Sequence, residues 1–251
     1  MEVTPEKRQM VVGGGWREGV VIDFEALIAA RKACHICVEE SPGRLRSCAE
    51  FAFDPDVVSH WEQWLGHRRP ALVVVGQDFG NVDYFTRNRG RDAPHNPTNA
   101  NLYRLLQAAG LAVSPPAERD CEAPIFLTNA ILCVKEGAMN APIRARWVKS
   151  CSDRHLRPLL LYLQPPVVVG MGNAGWQAVR QVFALDAAPR RVSDAAGSSW
   201  AAADGTRVFA VGHCSPLGVI NRRWPQQLED WRRIGAFLAQ NRAARQRCRR
   251  T

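Results

Sequence analysis

The chain has 251 residues, of which 46% are apolar and 23% charged, and a net charge of +9. This balance is typical of a globular protein and excludes a disordered or fibrous chain. Its longest apolar runs reach only about six residues against the roughly 20 of a membrane span, and its first residues lack the apolar segment of a signal peptide. We therefore expect a soluble protein of the cytoplasm, most naturally a bacterial one.

Four short apolar runs, rich in β-branched residues, alternate with helical patterns. The runs cover 71–76, 124–129, 166–171 and 207–212, and the helical patterns cover 23–32, 101–110, 147–163, 175–183 and 226–240. Such alternation is typical of a parallel sheet covered by helices on both faces. The sequence predicts one domain over 1–251, a three-layer α/β/α sandwich with a central four-stranded parallel sheet and an N-terminal helical extension. Its core covers about 30–240, and a basic tail covers 241–251.

The positive charge is concentrated near the carboxyl terminus. Nine arginines and only two acidic residues lie between Arg222 and Arg250, so this stretch contributes +7 of the total. Basic segments commonly bind polyanions, because neutralised phosphates release condensed counterions. Charge alone leaves two interpretations open, a nucleic-acid partner or a solvated tail.

Eight cysteines without a secretory signal favour metal or redox use over disulfide bonds. Cys34 and Cys37 form a Cys-x-x-Cys pair after the first helical pattern, and Cys133 and Cys151 are separated by seventeen residues. The pair alone is weak evidence, because zinc ribbons, redox motifs and iron–sulfur sites all use it.

Unusual residues stand at the carboxyl ends of the predicted strands, where open parallel sheets bind ligands. Asp78 follows the first strand, Asn129 ends the second, Gly-Met-Gly-Asn at 170–173 ends the third, and His213 follows the fourth. Each has an ordinary interpretation as a turn residue, a buried amide, a tight glycine turn or a core histidine. Their convergence on one edge favours a functional site.

Three of these segments resemble motifs of the uracil-DNA glycosylase superfamily. Gly-Gln-Asp-Phe-Gly-Asn at 76–81 resembles its motif A, and Thr-Asn-Ala-Ile-Leu-Cys at 128–133 resembles the strand with the base-reading asparagine. His-Cys-Ser-Pro-Leu at 213–217 resembles its motif B, His-Pro-Ser-Pro-Leu. The resemblance covers about 30–240 and implies cleavage of the glycosidic bond of a base in DNA.

The resemblance implies a role for each site residue. The catalytic residues are Asp78, which would stabilise positive charge on the sugar and orient water, and His213, which would hydrogen-bond the departing uracil anion. The implied base-binding residues are Gly76, Gln77, Phe79 and Asn129, of which the asparagine amide would read the pairing edge of uracil and reject cytosine. The implied DNA contacts are Ser215, Leu217 and Arg222.

The resemblance also implies a cofactor. Family-four members, the iron–sulfur type, have a Cys-x-x-Cys near the amino terminus, a third cysteine closing the asparagine strand and a fourth opening the next helix. The cysteines in those places are Cys34, Cys37, Cys133 and Cys151. A [4Fe–4S] cluster is therefore expected, with zinc as the alternative.

The chain departs from both families that it combines. Family four usually has Gly-Glu-Ala/Gly-Pro-Gly in motif A and family one has Gly-Gln-Asp-Pro-Tyr, so Asp78 is of the family-one kind. Gly80 replaces the tyrosine that screens C5 of the base, and Cys214 replaces the proline of motif B. Tyr84 and Phe85 are the nearest candidates for an aromatic that stacks on the base.

The leading hypothesis is a monofunctional uracil-DNA glycosylase of base-excision repair, acting on DNA as a monomer and not on membranes. No lysine lies within the three motifs, so no amine nucleophile for a lyase step is expected. Because the C5 screen is absent, a glycosylase for other deaminated bases, hypoxanthine or xanthine, is one alternative. A non-excising DNA-binding protein and a zinc-stabilised nucleotide-binding module are the others.

Overall fold

The computed structural model describes residues 23–52, 68–91, 93, 95–115 and 123–248. The helices are α1 (Phe24–Lys32), α2 (Ile36–Glu39), α3 (Val82–Arg87), α4 (Pro97–Ala108), α5 (Ala145–Cys151), α6 (Arg157–Leu163), α7 (Gly172–Val182), α8 (Val192–Ala195), α9 (Pro216–Asn221) and α10 (Trp224–Cys248). The strands are β1 (Leu45–Ser47), β2 (Leu72–Gly76), β3 (Ile125–Asn129), β4 (Cys133–Lys135), β5 (Val167–Met171), β6 (Ser199–Ala201) and β7 (Arg207–Val211).

The central sheet has the strand order β3-β2-β5-β7-β6. Its first four strands are parallel and correspond to the four predicted apolar runs, which confirms that part of the prediction. The fifth strand, β6, is antiparallel to β7 and was not predicted. It covers only Ser199–Ala201 at the sheet edge and is partly exposed, so it has no apolar run to mark it.

Helices cover both faces of the sheet, as the three-layer prediction requires. The side chains of β2 alternate between two cores, because successive residues of a strand point to opposite faces. Val73 and Val75 belong to a core shared with α1, α5, α6 and α7. Leu72 and Val74 belong to a core shared with α4 and α10. Burial on both faces explains why β2 contains no polar residue.

The predicted helix over 147–163 forms as α5 and α6 joined by a π-helical segment, Ser152–Leu156. Pro158 lies in the first turn of α6 and has no N–H to donate to the preceding turn, which accounts for a wider turn at this place. Cys151 directly precedes this widening.

A second, two-stranded antiparallel sheet joins the amino-terminal segment to the chain that follows β3. It pairs β1 with β4, and Ser47 lies opposite Cys133. Helix α10 continues to Cys248 through most of the expected basic tail, of which 249–251 lie outside the described residues. No helix in the described part of the chain has the length and apolar character that crossing a bilayer requires.

Candidate active site

Asp78 lies beyond the carboxyl end of β2 in a turn that holds both of its carboxylate oxygens. Its Oδ1 accepts a hydrogen bond from the backbone N–H of Gly80 at 2.8 Å, and its Oδ2 accepts one from the Gln77 amide at 3.1 Å. Only 6% of the Asp78 side chain is exposed. The hydrogen bond from Gly80 forms the turn that is one ordinary role of an aspartate at this position. It also fixes the carboxylate at the edge of the sheet.

Lys135, the last residue of β4, is a site residue that the sequence did not reveal. Its Nζ lies 3.1 Å from Asp78 Oδ2 and donates a hydrogen bond to the Met139 carbonyl oxygen at 2.7 Å. The side chain is 2% exposed, and lysine is almost never so buried unless it is paired. The pair forms because the turn after Asp78 lies against β4, where the Lys135 N–H donates to the Gly80 carbonyl oxygen at 3.1 Å.

Asn129 ends β3 directly opposite Gly76, the last residue of β2. The asparagine is buried, and its amide oxygen would lie 2.7 Å from a Cβ placed on residue 76. A glycine at 76 therefore provides the space in which the amide lies across the end of β2. This contact brings the asparagine side chain beside the residue that begins the Asp78 turn.

His213 follows β7 and is held by the loop that leads into α9. Its Nδ1 accepts a hydrogen bond from the Ser215 backbone N–H at 3.1 Å, so the neutral ring carries its proton on Nε2. Burial lowers the pKa of His213, and the negative charge of Asp78 acts in the opposite direction. The imidazole is therefore a neutral donor within electrostatic reach of the Asp78 carboxylate.

The glycine turn after β5 makes room for this imidazole. Gly172 has a φ of +70°, and a Cβ there would lie 3.1 Å from His213 Cδ2. A side chain at 172 would thus need both a strained backbone and a displaced histidine. The four strand ends predicted to converge are therefore connected in space, from Asn129 through Asp78 to His213 and the 170–173 turn.

The segment after His213 presents apolar side chains to solvent. Ser215 Oγ accepts a hydrogen bond from the Gly218 N–H at 3.2 Å and so caps α9. Leu217 is 67% exposed and Ile220 is 75% exposed. With Met139 at 47%, they are the exposed large apolar residues within the described ranges. Leu217 and Ile220 follow β7 of the central sheet, and Met139 follows β4, whose last residue binds Asp78.

Arg222, expected to contact DNA, is used inside the protein. Its guanidinium binds the buried carboxylate of Asp230 through two hydrogen bonds, Nη2 to Oδ1 at 2.7 Å and Nε to Oδ2. This bidentate pair joins the end of α9 to α10. The charge of Arg222 is thus offset by Asp230, and the DNA contact expected of Arg222 stays a prediction.

The aromatic residues of this region have structural neighbours. The rings of Phe79 and Phe85 are buried and meet edge-on with centroids 6.1 Å apart, so both rings pack in the core, and the base contact expected of Phe79 stays a prediction. Tyr84, the other candidate for stacking on the base, is half-buried. Its hydroxyl accepts hydrogen bonds from the Ala93 N–H and the Asn96 amide, each at 2.9 Å.

Cys34, Cys37, Cys133 and Cys151 line one cavity behind the site. Burial raises the pKa of Cys133 to about 12, and the neighbouring Cys37 and Cys34 act in the same direction. The Leu132 backbone N–H donates to Cys151 Sγ at 3.3 Å. Among the described residues, no group of three or more Cys, His, Asp or Glu is arranged to hold a metal ion.

In a comparison with protein families, the model of the Uracil DNA glycosylase superfamily matches residues 64–234. A search of curated proteins found no match. The matched span is well over half of the chain and contains Asp78, Asn129, Lys135 and His213. It begins after Cys34 and Cys37. The chain therefore belongs to the uracil DNA glycosylase superfamily.

Proposed function

We propose that this protein is a monofunctional uracil-DNA glycosylase that initiates base-excision repair. The observation that carries the proposal is the Asp78 carboxylate at one edge of the sheet with the His213 imidazole in electrostatic reach and the Asn129 amide beside it. Membership of the superfamily supports a DNA glycosylase.

Asp78 is suited to the charge that develops on the sugar. Cleavage of the glycosidic bond leaves positive charge on the deoxyribose, which a fixed carboxylate stabilises more effectively than mobile water does. Its Oδ1 accepts a single protein hydrogen bond and retains acceptor capacity. That oxygen can orient the water that attacks C1′ and accept its proton as the new bond forms.

His213 and Asn129 are suited to the base. With Nδ1 occupied by the Ser215 N–H, the proton on Nε2 is available to donate to uracil O2 as negative charge develops there. The asparagine amide offers one acceptor for uracil N3–H and one donor for O4, whereas cytosine presents the opposite pattern. The base must first leave the helical stack, at a cost of a few kcal/mol.

Lys135 supports hydrolysis without a lyase step. A lysine that attacks the abasic sugar needs an accessible, unprotonated amine. Lys135 is buried, and its ammonium binds the Asp78 carboxylate and the Met139 carbonyl. It is therefore placed to position Asp78 and not to form a Schiff base.

The four-cysteine cavity supports a [4Fe–4S] cluster, with zinc as the alternative. Zinc and iron–sulfur clusters both take four cysteine ligands, and the four thiols line one cavity. Four cysteines around a shared cavity match the ligand set of a cluster. The buried Arg31 lines the same cavity and supplies positive charge beside the thiolates.

Such a cluster would be held by Cys34, Cys37, Cys133 and Cys151 and would supply a structural cross-link. No step of the hydrolysis derived above uses it. Its ligands come from the amino-terminal segment, β4 and the end of α5. The β1–β4 pair already joins the first two, and Arg146 and Trp147 of α5 donate hydrogen bonds to Ser41 Oγ.

The proposal is tested with oligonucleotides that contain one uracil, hypoxanthine, xanthine or thymine, as single strands and as duplexes. We expect alkali-labile abasic sites from uracil, and a large loss of rate in Asp78→Asn and in His213→Ala. Release of hypoxanthine or xanthine in preference to uracil would favour the alternative that the missing C5 screen suggests. DNA binding without an abasic product from any substrate would exclude excision.

A further inference from the structure

Three exposed arginines, Arg87, Arg89 and Arg91, lie within five residues at the end of α3. No hydrogen bond or ion pair joins the guanidinium of Arg87 or Arg89 to any described residue. The nearest preceding acidic residue on α3 is Asp83, one turn earlier and also exposed, and it makes no ion pair with Arg87. At these two positions the turn 87–91 therefore presents positive charge that no described side chain compensates.

This turn belongs to the segment that joins two parts of the candidate active site. Helix α3 begins directly after the turn that holds Asp78, with Asn81 as its cap. Beyond the arginines the chain returns to α4, whose cap, Asn96, binds the Tyr84 hydroxyl. The first turns of α4 then reach the His213 loop, because the Asn101 amide donates to the Cys214 carbonyl oxygen at 2.8 Å. The arginine turn is thus part of the connection between the Asp78 turn and the His213 loop.

Arg89 adopts a conformation that glycine would accept more easily. Its φ is +53°, and it ends α3 where the Gly90 N–H closes on the Phe85 carbonyl oxygen at 2.9 Å. Left-handed non-glycine residues also follow α6 and α7, at Gln164 and Ala184, so the conformation alone does not mark Arg89. Arg89 differs from Gln164 and Ala184 in its side chain, which is cationic, exposed and makes no ion pair with a described residue, although the backbone at this position is strained.

We propose that Arg87 and Arg89 bind backbone phosphates of the DNA strand that enters the site. A guanidinium matches a phosphate by charge and by its paired N–H donors, and neutralising a phosphate releases counterions. This inference rests on the proposed function, since it supplies the surface that the glycosylase uses to hold its substrate. Arg87 and Arg89 would also supply positive charge for DNA binding, whereas the charge of Arg222 is offset by Asp230.

The test is the variant Arg89→Gly. A structural role of Arg89 predicts a change in the stability of the protein, whereas a role in binding predicts weaker affinity for DNA. Glycine relieves the left-handed strain, so the melting temperature should stay the same or rise. Binding of a uracil-containing duplex, measured by fluorescence anisotropy at several salt concentrations, should weaken several-fold. The slope of log K against log[salt] should become shallower by about 0.9 for each phosphate that the protein no longer neutralises, and by about twice that in Arg87→Gln/Arg89→Gly.

Arg68→Gln is the control for a general loss of charge, because Arg68 is also exposed but lies before β2 at the opposite edge of the sheet, where it pairs with Glu25 at 3.5 Å. We expect it to leave the salt slope and the uracil excision rate unchanged. An Arg89→Gly variant that binds duplex with wild-type affinity and slope, while the wild type excises uracil, would overturn this inference alone. A wild-type protein that neither binds DNA nor releases a base would overturn the proposed function as well.

Discussion

The ammonium group of Lys135 lies 3.1 Å from the carboxylate of Asp78, and both side chains are almost fully buried. Transfer of two charges from water into a protein is costly, and attraction offsets that cost only when further hydrogen bonds satisfy both groups. Here the Gly80 N–H and the Gln77 amide bind the carboxylate, and the Met139 carbonyl binds the ammonium. The proposed catalytic carboxylate is thus held by three groups from two parts of the chain, the turn after β2 and the end of β4.

Replacing Lys135 with methionine should leave the Asp78 carboxylate buried without a counter-charge. We expect the free energy of unfolding to fall by about 3–5 kcal/mol, measured by urea denaturation, together with a lower excision rate as the carboxylate moves toward water. The double variant Lys135→Met/Asp78→Asn removes both charges and should recover most of the stability while remaining inactive. Equal stability of the single and double variants would show that the pair contributes nothing.

Protonation of His213 should lower the excision rate at acid pH. Because burial lowers its pKa, the ring is neutral at pH 7, and kcat/KM should stay flat down through about pH 6.5, the ordinary histidine value. The rate should fall only as the pH approaches the lower pKa of the folded chain, where Nδ1 takes a proton and the bond from the Ser215 N–H breaks. The unfolded chain binds this proton at higher pH than the folded chain does. The stability that depends on neutral His213 is therefore complete above about pH 6.5 and disappears as the pH falls through the folded pKa.

Asp78→Asn provides the control for this assignment. The charge of Asp78 raises the pKa of His213 against the effect of burial, so its removal should move the NMR titration of the imidazole to still lower pH. A titration midpoint that is unchanged in Asp78→Asn would mean that the two groups do not interact.

The sheet and the convergence of the strand ends were predictable, because each parallel strand is an apolar run buried on both faces. Asp78, Asn129 and His213 follow such runs, and parallel topology alone places them on one edge. Contacts that depend on how loops approach one another were not predictable. Lys135 meets Asp78 only because β4 pairs with the turn after β2.

Arg222 shows that the charge available to DNA was not predictable from the sequence either. Counting arginines along the sequence treats all of them as available to a polyanion. The turn between α9 and α10 brings Arg222 onto the buried Asp230, eight residues later, so the aspartate offsets its charge. The exposed arginines at 87 and 89 lie outside the carboxyl-terminal stretch that the sequence emphasised.

Met139 is expected to set the range of bases that the site accepts. Gly80 has a φ of +83°, and a Cβ there would lie 3.3 Å from both Met139 Sδ and Tyr84 Cδ1. The Met139 side chain thus lies where a side chain of residue 80 would begin. Met139→Ala should raise kcat/KM for thymine relative to uracil, whereas Met139→Leu keeps the bulk and should keep the ratio. A ratio unaffected by alanine would contradict this role.

Leu217 is expected to act on duplex DNA in particular. It is exposed at the start of α9, where it can fill the space that a flipped base leaves in the stack. Leu217→Ala should therefore slow excision from duplexes more than from single strands, which have no stack to refill. Ile220→Ala removes an exposed apolar side chain from the same helix and serves as the control. Equal reductions on both substrates would argue against a wedge.

Loss of the cluster expected in the cysteine cavity should lower the stability of the protein. Cys133→Ala should lose the visible colour and the iron, which we expect at about four atoms per chain, and should unfold more easily. Cys48→Ala is the control, because Cys48 is buried nearby and its Sγ donates to the Leu132 carbonyl oxygen. It should lose some stability through a core cavity but keep its iron. A colourless wild-type protein that contains zinc would exclude the cluster.

The same variant should affect catalysis through β4. This strand begins at Cys133 and ends at Lys135, so loosening its first residue also loosens the ammonium that holds Asp78. Cys133→Ala should therefore lower the excision rate even at temperatures where the chain remains folded by circular dichroism, and Cys48→Ala should lower it less. Full activity in an iron-free, folded Cys133→Ala protein would show that the cavity and Asp78 are independent.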